Sequence, residues 1–92
     1  MTLRTEKIKQ LLSPSLEPTT LQIVDDSASH AGHAGVREHG GGHYQVLIVS
    51  PKFTDVNTVK RHQLVYQALE SMMQTEIHAL SIQALTPDEF NN

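Results

Sequence analysis

The spacing of apolar residues alternates between helical and strand periods along this chain of 92 residues. Ile8, Leu11 and Leu12 follow i, i+3, i+4 spacing, with Leu3 and Leu16 flanking, and predict a helix over residues 3–12. Ser13-Pro14 should end it, because the residue before a proline avoids the helical region. Residues 20–25 then alternate as a strand does, with Leu21 and Ile23 on one face and Val24 on the other. A second strand is predicted over 43–50, with Tyr44, Val46 and Ile48 on one face and Leu47 and Val49 on the other. Apolar residues on both faces mark it as a central strand. Helical spacing returns over 56–73, with Asp55 as the expected N-cap. Val59, Val65, Ala68, Leu69, Met72 and Met73 supply its buried stripe. A third strand follows over 77–85, with Leu80, Ile82 and Ala84 on one face and Ser81 and Gln83 on the other. Thr86-Pro87-Asp88-Glu89 reads as the start of a last helical turn, with proline at its first position.

The element order is α-β-β-α-β. The first two strands should pair antiparallel. The second and third are joined through a helix, which implies a parallel pair with a right-handed crossover. Helices on one face of a three-stranded mixed sheet make an α+β two-layer sandwich, and residues 1–92 make one small domain.

Residues 27–42, rich in His and Gly, form a long connection between the first two strands. Connections beyond about 12–15 residues are uncommon in compact domains and are often functional. The glycines predict a segment that a ligand would order. Four of the six histidines, His30, His33, His39 and His43, fall within residues 30–43. If the third strand runs parallel to the second, His78 opens it at the same end of the sheet as this loop. Imidazoles gathered at one edge are candidate ligands for zinc, copper, nickel or iron. His62 stands eleven residues before Met73, about 16 Å along a helix, and should not reach that cluster. Plainer readings stay open. By alternation His78 shares a face with Leu80 and Ile82, as a core-edge histidine would. The loop fits simple solvation as well as metal binding. Arg61 and His62 fit either a helix surface pair or a binding pair.

The net charge is −3 with histidine neutral, which argues against tight nucleic-acid binding. There is no cysteine, so neither a disulfide nor a protein thiolate ligand can form. Met1-Thr2-Leu3-Arg4-Thr5-Glu6-Lys7 lacks the apolar core of a secretory signal, and no apolar run approaches the roughly 20 residues of a membrane span. The expectation is a cytoplasmic protein that does not enter membranes. No carboxylate pair, Ser-His-Asp set, Walker loop or HExxH motif is present, so a binding role is expected over an enzymatic one. Gly32-His33-Ala34-Gly35 matches the bare GxxG of KH domains. It stands between strands with only Arg37 nearby, and carries little weight.

Several stretches together resemble the BolA family. They are Ile23-Val24-Asp25-Asp26-Ser27 before the loop, His43-Tyr44-Gln45-Val46 after it, and Val49-Ser50 with Phe53. Arg61-His62 with Val65-Tyr66 and Leu69, and Ile77-His78-Ala79-Leu80-Ser81-Ile82, complete the set. The resemblance runs from the first helix through Pro87, and departs where Asp55 stands at a position often held by Gly. It implies the KH-like, class II arrangement of the same element order. It also implies a partner, a monothiol glutaredoxin of the CGFS type, with which such proteins share a [2Fe-2S] cluster that a glutathione thiol helps to hold. Carried over by position, His78 is the firm ligand and His30 the preferred second, with His43 and His33 as alternates. Lys60, Arg61 and His62 would form the partner-docking helix. The implied role is an adaptor in iron-sulfur trafficking or iron homeostasis, monomeric or weakly dimeric alone. A second reading is a DNA-binding transcriptional regulator using Lys52, Lys60 and Arg61 on the KH-like surface. A third is a His-loop chelator that needs no partner.

Overall fold

The structure is a computed structural model, and it describes residues 4–26 and 42–91. Its first helix, α1, spans Arg4–Leu16 and runs through Pro14, past the stop expected at Ser13. Proline removes one backbone donor. Burial outweighs that loss: Ile8, Leu12 and Leu16, spaced four apart, all lie in the core. Glu17 then closes the helix, donating its amide to the Ser13 carbonyl at 2.9 Å. It does so in the left-handed region at φ 45, and Pro18 follows.

Strand β1 (Thr20–Asp25) pairs antiparallel with β2 (Gly42–Val49), from Thr20 opposite Val49 to Asp25 opposite Tyr44. β2 pairs parallel with β3 (Ile77–Leu85), so β2 is central, as its two-sided apolar pattern requires. Tyr44, Val46 and Ile48 on one face of β2 are buried against the helices. No described helix covers the other face, which is a shallow groove lined in part by Gln22, Val24, Gln45, Leu47, Ser81 and Gln83.

A short 3-10 turn at Pro51–Phe53 leaves β2. The buried Ser50 hydroxyl donates to the Leu16 carbonyl and accepts from the Lys52 amide, tying the ends of α1 and β2 together. Helix α2 spans Thr58–Ala68 and a further turn, α3, spans Glu70–Met73, with Leu69 between them at φ −100 and ψ 10. The single helix expected over 56–73 is therefore divided. Its N-cap is Asn57 in place of Asp55: the Asn57 side chain accepts from the Lys60 amide at 2.9 Å. Asp55 sits in the preceding turn at φ 63, a conformation glycine adopts without penalty.

The start of α2 also changes the stripe. Val59 falls in the first turn and is 68% exposed, against expectation. The buried positions are Arg61, Val65, Leu69 and Met72. An arginine thus occupies the place where the helical period calls for an apolar residue. Last comes α4 (Pro87–Asn91), opened by a reciprocal cap. The Thr86 hydroxyl accepts from the Glu89 amide at 3.2 Å, and the Glu89 carboxylate accepts from the Thr86 amide at 2.8 Å.

Candidate metal edge and charged helix face

The parallel pairing of β2 and β3 brings His43 and His78 together, with ring centroids 5.2 Å apart and planes tilted by 50°. A bulge makes this possible. Gly42 lies opposite Ile77 but His43 lies opposite Ala79, so His78 is an extra residue in β3. Without the bulge, alternation would turn His78 to the core face with Leu80 and Ile82. With it, Ile77 takes the core position at 3% exposure and His78 is exposed beside His43. The core-edge reading of His78 is corrected by that one inserted residue.

The pair fits a metal. Two imidazoles bound to one ion at N–metal distances of about 2.0–2.1 Å place their ring centroids roughly 5–6 Å apart. His43 is half-buried, and its Nε2 is fully buried. Among the described residues no set of three His, Asp or Glu gathers around an ion. Two imidazoles are half of a four-coordinate shell, so the remaining donors must come from elsewhere. His30 and His33, the other candidate ligands, lie outside the described residues, as does the rest of the loop over 27–41.

The edge has a frame that sequence reading missed. Glu76 directly precedes β3, and its carbonyl accepts from the Gly42 amide at 3.1 Å. Its carboxylate accepts from Lys7 Nζ at 2.6 Å and lies 3.9 Å from Arg4 Nε. The first helix is thereby clamped to the His43–His78 end of the sheet. The partners are 69 residues apart in sequence, so no local pattern announces them.

Lys60, Arg61 and His62 lie at the other end. Arg61 bonds the Ala84 carbonyl, six residues along β3 from His78, a span of about 20 Å. Its placement corrects the surface reading, since Arg61 is only 8% exposed. Nε donates to the Val56 carbonyl at 2.6 Å, and Nη1 donates to Ala84 at 3.0 Å and to Glu89 Oε1 at 2.6 Å. The guanidinium also lies 5.8 Å from the centroid of the buried Phe53 ring. These are the contacts of a staple inside the fold, not of a free docking cation. Lys60 is exposed and His62 half-buried. Lys52 is paired with Glu17 at 3.2 Å.

Glu89 carries the electrostatic signature of the staple. Arg61, bonding its carboxylate, and then the Thr86 amide hold it at about 2, against an ordinary 4.5. Between those values the unfolded chain binds a proton that the folded chain does not. The stabilisation from Glu89 is therefore complete above pH 4.5 and is lost as pH falls toward 2. We expect Glu89→Gln to flatten the acid limb of a urea-midpoint profile across that window. An unaltered slope in the variant would remove Glu89 from acid unfolding.

The small α+β domain with this strand order presents two imidazoles, His43 and His78, at a bulged sheet edge. Its relatives make the class specific. The family model described as BolA-like protein matches residues 12–89. The chain is 46% identical over 88 residues to the chloroplastic protein BOLA1 of Arabidopsis thaliana, covering 94% of this chain and 55% of that one. It is 32% identical over 85 residues to the DNA-binding transcriptional regulator BolA of Escherichia coli K12, covering 92% of this chain and 77% of that one. The solved structure of Arabidopsis BolA1 superposes with a TM-score of 0.83 at 42% identity, over 97% of both chains. This chain belongs to the BolA family. It spans only part of some relatives: 55% of BOLA1, 24% of the Arabidopsis SufE-like protein 1 and 58% of mouse BolA-like protein 1. Among the described residues no helix is long and apolar enough to cross a membrane.

Proposed function

We propose that this chain is a non-enzymatic adaptor that pairs with a CGFS-type monothiol glutaredoxin and co-ligates a [2Fe-2S] cluster in iron-sulfur trafficking or iron homeostasis. The observation that carries the reading is the 5.2 Å juxtaposition of His43 and His78 at one bulged edge. His78 supplies one nitrogen and His43 is the described candidate for the second, with His30 and His33 as the alternates. The chain has no cysteine, so the thiolates must come from the partner and its glutathione. When bound, the cluster supplies one-electron chemistry and transferable iron, and imidazole in place of thiolate raises its potential. Cytoplasmic placement belongs to the same proposal.

The test is anaerobic mixing with a [2Fe-2S]-loaded CGFS glutaredoxin, followed by visible circular dichroism and size exclusion. A changed cluster spectrum in a one-to-one heterodimer supports the adaptor. No change and no co-elution removes it.

The name of the Escherichia coli relative keeps DNA binding as a second reading. The burial of Arg61 leaves Lys52 and Lys60 as its exposed cations. We expect Lys60→Glu to weaken any DNA binding, because Lys60 is an exposed cation on α2. Loss of the cluster signal in Lys60→Glu would put the glutaredoxin on the helix face instead.

A further inference from the structure

We propose that Asp26 is a positioning residue for His43: its carboxylate accepts the Nδ1 proton of the imidazole and leaves Nε2 as the ligating nitrogen. The inference rests on the reading of His43 as a ligand, and is drawn from the sheet register. The β1–β2 ladder ends with Asp25 opposite Tyr44, and the next step places Asp26 opposite His43. The chain keeps that register, because the Asp26 amide donates to the His43 carbonyl at 2.7 Å. Residues opposite each other in an antiparallel pair project their side chains on the same face, with Cβ atoms about 5 Å apart. That face is the open one, away from Tyr44 and the core.

The Asp26 carboxylate is also anchored there. Gln45 Nε2, on the same face of β2, donates to Asp26 Oδ2 at 3.4 Å. An ionised carboxylate has about four acceptor sites, so this bond leaves capacity for an imidazole N–H. Asp26 and His43 are both half-buried, which shields such a bond from competing water. A histidine that ligates metal through one nitrogen generally donates the other N–H to a carboxylate or carbonyl, and this fixes its tautomer and ring angle. Asp25 provides an internal control. It lies opposite Tyr44, on the other face of the sheet.

The test reads the imidazole directly. Ring-nitrogen NMR of the metal-free protein at pH 8 reports the His43 tautomer. A Zn²⁺ titration then reports ligation. The expected result is the Nδ1–H tautomer in the native protein, lost in Asp26→Ala, with Zn²⁺ binding weakened about 10–100-fold. Asp26→Glu should recover part of both, and Asp25→Asn should match the native protein. An Nε2–H tautomer in the native protein, or a tautomer unmoved by Asp26→Ala, overturns the assignment. Because the tautomer is read without metal or partner, it supports or overturns Asp26 even if the glutaredoxin complex fails to form.

Discussion

His78→Ala should abolish the mixed cluster complex with a CGFS glutaredoxin and leave the fold intact. The two halves of that result have separate causes. The chain contributes no thiolate, so its share of the shell rests on imidazoles, and the described edge offers two. On the proposed shared-cluster reading, removing one leaves a single described imidazole as donor. The bulge explains why the fold survives. It is Ile77, not His78, that fills the core position at the start of β3. An exposed residue of this kind changes stability by no more than about 0.5 kcal/mol. The heterodimer's visible circular dichroism should revert to that of the glutaredoxin alone, and the urea midpoint should stay in place. A native cluster spectrum from His78→Ala would sink the ligand assignment. His43→Ala compared with His30→Ala then identifies the second ligand, since the larger loss marks it.

The sequence carries most of the fold because the apolar period changes cleanly between elements. The order α-β-β-α-β, the central place of β2 and the meeting of His78 with the loop-side strand all follow from period and connectivity. What it does not carry is instructive. Pro14 is a helix breaker by local rule, yet Leu16 beyond it is buried, and tertiary burial outweighs the local preference. Asp55 precedes a helical pattern and invites the cap, but Asn57 takes it because the turn before the helix needs a left-handed residue. His78 looks core-facing by alternation, and a one-residue bulge reverses it. No propensity announces that bulge, because it depends on how β3 registers against β2. Arg61 is the clearest case. A charged residue at the buried period is read as surface, since only three-dimensional closure supplies the acceptors at Val56, Ala84 and Glu89. The candidate site was legible in its histidines and hidden in its supports. Asp26 reaches that edge from the end of β1, and Lys7 from α1 through Glu76.

Arg61→Ala should destabilise the protein more than any other single removal of a charge. Three elements meet at its guanidinium. Val56 stands at the entry to α2, Ala84 near the end of β3, and Glu89 on α4. β3 is an edge strand, so its Ala84 carbonyl has no β-strand neighbour on the side that Arg61 covers. Truncation leaves the Val56 and Ala84 carbonyls without that donor and opens a void against Phe53, which is fully buried. A buried acceptor left unsatisfied costs about 1–3 kcal/mol, so the two carbonyls together should lower stability by about 3 kcal/mol. In a domain of this size that corresponds to a fall in Tm of about 12–24 °C. Arg61→Lys should recover little, because one ammonium on a flexible stem cannot span acceptors set in a planar fork. Glu89→Ala should cost less than Arg61→Ala, since Glu89 is half-exposed and its loss leaves both carbonyl bonds in place. Urea unfolding of the three variants gives the order. A loss below about 1 kcal/mol in Arg61→Ala, the size of one ordinary hydrogen bond, would show that the staple is dispensable and return Arg61 to the docking surface.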